Sequence, residues 1–178
     1  MTDTYESFIG PIDPGFVKSV PPESQKIYRE LGEKMAQDEC WVTFTIRHPS
    51  KDSAKLSELL ELEPDCALED GDTIYKSDRH HIKQTGSSWS YELYHRGHYP
   101  SAEHLLSTLL DDIEGRLPTL RRLQSEGARM KIKLEFDQRS HLACLQLTPE
   151  VLIRLSQLRM NFEVLAKLPV DEKKEEDN

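Results

Sequence analysis

The chain has 178 residues, of which 37% are hydrophobic and 31% are charged, and it carries a formal net charge of −9. This length suits one domain with a single core, and the acidic balance argues against a nucleic-acid or anionic-membrane partner and favours a basic one. Three widely spaced cysteines, the lack of an apolar run of about 20 residues and a polar N-terminus argue against a disulfide framework, a membrane span and a secretory signal, so we expect a cytoplasmic protein.

Residues 1–38 are predicted to form an N-terminal arm and one helix that precede the main domain. Four prolines and two glycines within the first 22 residues leave little room for regular structure. Residues 23–37 then carry an apolar stripe at helical spacing, which comprises Ile27, Tyr28, Leu31 and Met35. We expect a single α+β domain over residues 39–169, followed by a disordered acidic tail at residues 170–178.

The first half of the domain begins with a strand and a short helix. Val42, Phe44 and Ile46 alternate with polar residues, which predicts a strand over residues 40–47 with one buried face. A Leu-rich stretch at residues 53–62 predicts a helix. Residues 65–88 are polar and without period, apart from a short strand at residues 73–76; a stretch of this length inside a domain is usually functional or mobile.

The middle of the domain combines an aromatic strand with the longest helix. Trp89, Tyr91 and Leu93 alternate within a strand at residues 88–94. Ser101 is a suitable N-cap for the long Leu-rich helix that follows. Pro118 should kink this helix or begin a fresh turn.

The most regular part of the sequence lies near the C-terminus. Two strands are predicted at residues 129–137 and 142–147, joined by residues 138–141, with a helix at residues 149–158 and a final strand that starts near Phe162. Helices too few to cover both faces of a sheet predict an α+β fold with a mainly antiparallel sheet and helices packed on one face. Its strand-helix-strand units are of the ferredoxin-like type.

No motif for catalysis stands out. The chain has no G-x-S-x-G nucleophile motif and no Gly-rich phosphate loop. A metal site would have to gather His80 or His81 with His95, His98 and an aspartate of the 65–88 loop, yet no H-x-x-x-H or H-E-x-x-H spacing is present. We therefore expect no cofactor, no metal and no enzymatic activity.

The uncovered face of the predicted sheet is the better candidate for function. It is partly aromatic and locally basic, which suits a protein partner, although an ordinary solvated face has the same pattern. The candidate binding residues are Trp41, Arg47, Trp89, Tyr94, Lys131 and Lys133.

Several segments together resemble a known bacterial family. They are the C-W-V-T-F-T-I strand at residues 40–46, the L-L-E-L-E-P helix end at 59–64, the S-W-S segment at 88–90 and the L-T-P-E turn at 147–150. This pattern resembles the family labelled domain of unknown function 4279 (DUF4279), over about residues 40–168. The N-terminal arm and helix and the acidic tail are additions to the family's usual pattern.

The family has no established enzymatic activity, so the resemblance supplies none for this chain. Members of this family resemble the small acidic proteins that accompany bacterial toxins as immunity partners. We therefore expect a non-enzymatic protein-binding domain that acts as an immunity or inhibitory partner. A regulatory domain that senses a small ligand between the 65–88 loop and the sheet is the alternative, and a metal-dependent enzyme that uses loop histidines is a third. The residues leave the partner and the oligomeric state open.

Overall fold

The computed structural model describes residues 21–35, 39–76, 81–96, 102–137 and 145–167. Its helices in chain order are α1 (Pro22–Met35), α2 (Ser53–Leu60), α3 (Ala102–Glu114), α4 (Leu117–Ser125) and α5 (Pro149–Leu158). Its strands are β1 (Glu39–His48), β2 (Cys66–Leu68), β3 (Thr73–Lys76), β4 (His81–Lys83), β5 (Ser87–Arg96), β6 (Arg129–Asp137) and β7 (Asn161–Lys167). Among the described helices, none is both long and apolar enough to span a membrane.

Five of the strands form one sheet in the order β2-β5-β1-β6-β7. The pairs β2–β5, β5–β1 and β1–β6 are antiparallel, and only β6–β7 is parallel. The predicted mainly antiparallel α+β architecture is thus confirmed. Two strand-helix-strand units are present: β6-α5-β7 joins neighbouring parallel strands, whereas β1-α2-β2 joins parallel strands that have β5 between them.

The core lies between this sheet and the helices on one of its faces. Val42, Phe44 and Ile46 of β1 are fully buried, as the alternation predicted. On the helix side, α3 contributes an unbroken apolar stripe at i, i+3 and i+4 spacing that packs over β1 and β5. Its buried residues are Leu105, Leu106, Leu109, Leu110 and Ile113.

Local capping explains where two of these helices begin and end. Asp52 caps α2 by accepting a hydrogen bond from the Lys55 backbone N–H at 2.7 Å, and Thr148 caps α5 in the same way before Pro149 at the first helical position. Both helices end at a residue with left-handed backbone, Glu61 at φ 52° and Arg159 at φ 53°. The Leu-rich stretch predicted that α2 ends at residue 62, two residues later than observed, because the left-handed backbone of Glu61 has no signature in the sequence.

One strand prediction is wrong for the residues that the structure describes. The hairpin expected between residues 129–137 and 142–147 does not form, because both edges of β6 are already occupied, by β1 and by β7. Residues 145–148 are not in a strand, and residues 142–144 lie outside the described part of the chain. The predicted arm up to residue 20 and the predicted tail at residues 170–178 also lie outside it.

Candidate functional site

The face of the five-stranded sheet that turns away from the helices is named the open face here. Strand register places on it every second residue of β1, β5, β6 and β7, beginning with Glu39, Ser88, Arg129 and Asn161. One row near an end of this face runs across the sheet from Tyr94 through Trp41 and Glu135 to Leu165.

An aromatic pair occupies one end of the open face. The rings of Trp41 and Tyr94 are directly opposite across β1 and β5, with centroids 5.3 Å apart and an angle of 36° between their planes. The Lys167 ammonium lies 5.8 Å from the Trp41 centroid, within the range of a cation–π contact. The Tyr94 hydroxyl donates to Glu39 at 3.0 Å, which restrains the Tyr94 ring beside Trp41.

Beside this pair, Glu135 links two lysines. Its carboxylate oxygens lie 2.7 Å from the Lys133 ammonium and 2.7 Å from that of Lys167. Hydrogen bonds from Lys133, and then from Lys167, hold the pKa of Glu135 below its ordinary range, and the bond to Glu135 raises the pKa of Lys167. One carboxylate therefore fixes the cation that lies over Trp41.

The open face is close to electrically neutral, although the whole chain carries −9. Its described cations are Arg47, Arg96, Arg129, Lys131, Lys133 and Lys167, and its described carboxylates are Glu39, Glu92, Glu135, Asp137 and Glu163. Most of these charges are paired within the face; Lys131, for example, contacts Glu163 at 2.7 Å. The acidic excess therefore belongs to the rest of the chain.

Five of the six candidate binding residues come together on this face. Trp41 and Tyr94 form the aromatic pair, Lys133 and Lys131 are ion-paired, and Arg47 is exposed at the far end of β1. The face is more balanced in charge than the sequence suggested, because its carboxylates come from four different strands.

Trp89 requires a correction, since its side chain is 0% exposed. It points to the helix side of β5, where its ring meets Phe44 edge-on with centroids 6.0 Å apart and its Nε1–H donates to Ser57 Oγ at 3.0 Å. The hydrogen bond satisfies the indole N–H, so burial leaves no polar group without a partner. Trp89 is thus a core residue that ties α2 to the sheet, and it does not belong to a binding face.

A second candidate region is a cleft of about 280 Å³ where β1 turns into α2. The 65–88 loop forms one wall of it. The cleft is lined by Pro49, Ser50, Lys51, Asp52, Glu69, Asp70, Gly86 and Ser87. Gly86 has φ +68°, and a Cβ atom there would lie 2.5 Å from the His48 carbonyl oxygen, so only glycine allows the two backbones to approach this closely.

The carboxylates of this cleft already have partners within the fold. Glu69 accepts from the Ser53 backbone N–H at 2.9 Å, Asp70 accepts from the Gly86 N–H at 2.8 Å, and Asp52 caps α2. Lys51 contacts Glu126 at 2.7 Å. These contacts fasten the described part of the 65–88 loop to the domain and leave no charged group of the cleft without a partner.

Four histidines are candidates for a metal site, and the structure describes the side chain of one of them, His95. His80 and His98 lie outside the described residues, as does the side chain of His81. His95 lies on β5, and burial lowers its pKa. Among the side chains that are described, no group of three or more His, Cys, Asp or Glu residues is placed to hold a metal ion.

Sequence reasoning missed three residues that build the aromatic site, namely Glu39, Glu135 and Lys167. The alternation of the strands indicated that they face outward. Their proximity to Trp41, however, depends on which strands are neighbours, and no local signal contains that information.

Comparison with known proteins gives one match. A family model described as a domain of unknown function (DUF4279) matches residues 38–168. No curated protein matches the chain, and no solved structure does.

Proposed function

This chain belongs to the DUF4279 family, and we propose that it is a non-enzymatic protein-binding domain whose open face docks one partner protein, in the manner of an immunity or inhibitory partner of a bacterial toxin. The Trp41–Tyr94 pair carries this proposal. Tyr94 is 50% exposed, whereas the aromatic residues Phe44 and Trp89 are buried in the core. Large aromatic side chains held rigid at a surface are typical anchors of protein interfaces, because little conformational entropy is lost when they are covered.

The charges around this pair support a docking role. Glu135 is already paired with both Lys133 and Lys167, so a partner that covers this patch leaves neither lysine without an opposite charge beside it. The strongly acidic remainder of the chain attracts a basic partner over longer distances and so speeds association. A rigid, charge-paired patch on an acidic protein suits rapid capture of a basic toxin.

The test is affinity capture from the native lysate with three baits: the wild type, a Trp41→Ala/Tyr94→Ala variant and an Ile82→Ala control. Ile82 is also exposed, but it lies on β4 in the separate two-stranded sheet. We expect the wild type and the control to retain the same partner. The double variant should lose it, with affinity reduced by roughly thirtyfold or more.

The inhibitory role has its own readout. Cells that produce the captured protein alone should grow poorly, and co-production of the wild-type domain should restore growth where the double aromatic variant does not. Equal capture and equal rescue by the double variant would refute the open face as the docking site.

The cleft beside α2 favours a second function, the sensing of a small ligand. Its volume of about 280 Å³ is sufficient for a small polar molecule, and its lining includes Ser87, the first residue of β5. A thermal-shift screen with polar metabolites would identify such a ligand. Stabilisation should disappear in a Ser50→Tyr variant, which fills the cleft, and should persist in Ile82→Ala; a screen without any hit removes this candidate.

A further inference from the structure

The β7 edge of the five-stranded sheet has features that favour self-association. Within the described residues, β7 hydrogen-bonds only to β6, so its other edge has no strand beside it. The edge is seven residues long, and three of its large apolar side chains are exposed: Phe162 at 37%, Val164 at 42% and Leu165 at 42%. Long apolar edges are the ones that add another strand.

The sequence of β7 is complementary to itself when it is read antiparallel. Residues opposite each other in an antiparallel pair lie on the same face of the sheet. If the open faces of the two copies are to be continuous, one β7 strand can slide along the other only in steps of two residues. Each step moves the two-fold axis from one residue of β7 to the next. The register centred on Leu165 places Glu163 opposite Lys167 of the second copy, and by symmetry the same pair forms again. Centring on Glu163 places two carboxylates opposite each other, and centring on Val164 forms no ion pair.

We propose that the chain forms a two-fold dimer in which the β7 edges of two copies pair antiparallel around Leu165. The two five-stranded sheets then become one continuous sheet, with the helices that cover the core, α2 to α5, on one side and both open faces on the other. Leu165 meets Leu165 of the second copy at the axis, and Val164 lies opposite Ala166 of the second copy on the helix side. The proposal goes beyond the docking role of the open face and does not depend on it.

The charges of the open face continue across this junction with alternating sign. Within one chain, Glu163 contacts Lys131 at 2.7 Å and Lys167 contacts Glu135 at 2.7 Å. In the dimer each of these two β7 charges gains an opposite charge on its other side. Cross-strand pairs of opposite charge stabilise an antiparallel pair, and like charges in the same positions destabilise it.

The experiment is sedimentation velocity over a dilution series, with charge-reversed single variants and their mixture. Glu163→Lys gives a chain with two cations at the paired positions, and Lys167→Glu gives one with two anions. In a dimer of either variant alone, like charges face each other at both 163–167 contacts. Its dissociation constant should therefore be higher than that of the wild type by roughly ten- to thirtyfold. An equimolar mixture has opposite charges at both pairs and should return to within about threefold of the wild type.

The mixture separates the proposal from a loss of folding. Both variants also lose an ion pair inside the chain, to Lys131 or to Glu135, and mixing does not restore either of them. Glu92→Lys makes the same charge change on β5 and should dimerise as the wild type does. A wild type that stays at the 20.6 kDa of one chain throughout the series overturns the proposal, and so does a mixture that is no stronger than its two components.

Discussion

The two faces of the main sheet each carry one tryptophan and one cysteine, and the two sets have opposite environments. On the helix side, Trp89 is fully buried and Cys40 is nearly so. On the open face, Trp41 lies half-buried beside Tyr94, and Cys66 is exposed. Residue type alone therefore does not determine the role of either pair; the position of the helices does.

The comparison also shows two ways to hold an aromatic ring. Trp89 is fixed by close packing against Phe44 and by one hydrogen bond to Ser57, both inside the core. Trp41 contacts the exposed ring of Tyr94 and the Lys167 ammonium, which Glu135 holds in position. The first arrangement stabilises the fold, while the second leaves aromatic rings at the surface, where we propose that a partner docks.

Removal of each tryptophan should separate these roles most clearly. Trp89→Ala should lower the free energy of unfolding by about 3–5 kcal/mol, because it leaves a cavity and an unpaired Ser57 hydroxyl. Trp41→Ala should cost about 1 kcal/mol or less, since its ring is already partly in water. Urea titrations followed by circular dichroism measure both values. Equal losses would contradict the assignment of Trp89 to the core and Trp41 to the surface.

The two cysteines should differ almost as strongly in reactivity. Burial raises the pKa of the Cys40 thiol to about 12, so its thiolate is scarce at neutral pH. Cys66 is exposed, and alkylation at pH 8 should modify it on the order of a thousandfold faster than Cys40. Peptide mass spectrometry after timed exposure to iodoacetamide distinguishes the two sites. Comparable rates would mean that the helix layer does not protect β1.

A smaller loss of stability is expected when the ion pairs between α5 and α3 are removed. Arg154 of α5 contacts Glu114 at 2.7 Å and Asp111 at 2.6 Å, both on α3, and these carboxylates raise its pKa. Arg154→Ala should lower the free energy of unfolding by roughly 1–2 kcal/mol, because the hydrogen bonds involve ions and are partly buried. The exposed Lys26–Glu30 pair on α1 is the control, and Lys26→Ala should change stability by less than about 0.5 kcal/mol.

The smallest effect should come from acid titration of the open face. The pKa of Glu135 is lower in the folded chain than in the unfolded chain, so the stability it adds is complete above about pH 5 and is lost as the pH falls through the lowered value. Glu135→Gln should therefore reduce the fall in the free energy of unfolding between about pH 5 and 3, measured by urea titration at each pH, by less than about 1 kcal/mol. An unchanged pH profile would show that Glu135 does not hold the lysines in solution.

Much of the local structure could be predicted from the sequence. The alternation of β1, β5 and β6 identified strands with one buried face, and the Thr148–Pro149 start of α5 was located to the residue. These features depend on side-chain period and on capping, which involve residues close together in the chain. Of the six binding residues proposed from the sequence, five lie on the open face.

Contacts between distant segments could not be predicted in this way. The sequence favoured a hairpin after β6, whereas in the structure β6 lies between β1 and β7. It also grouped Trp89 with the binding residues, although β5 turns this ring under α2. Period-2 alternation shows which residues share a face, but it does not show which face the helices cover.

By itself, therefore, the sequence determined most of the longer elements, the α+β class and the division of the predicted strands into two sides. Only the tertiary structure decided the neighbours of each strand, and with them the meeting of Trp41, Tyr94 and Lys167 and the β7 edge that no other described strand pairs with. The physical reason is that strand pairing and helix packing join groups far apart in the chain. Their outcome depends on the competition among all segments for one core, which no single segment records.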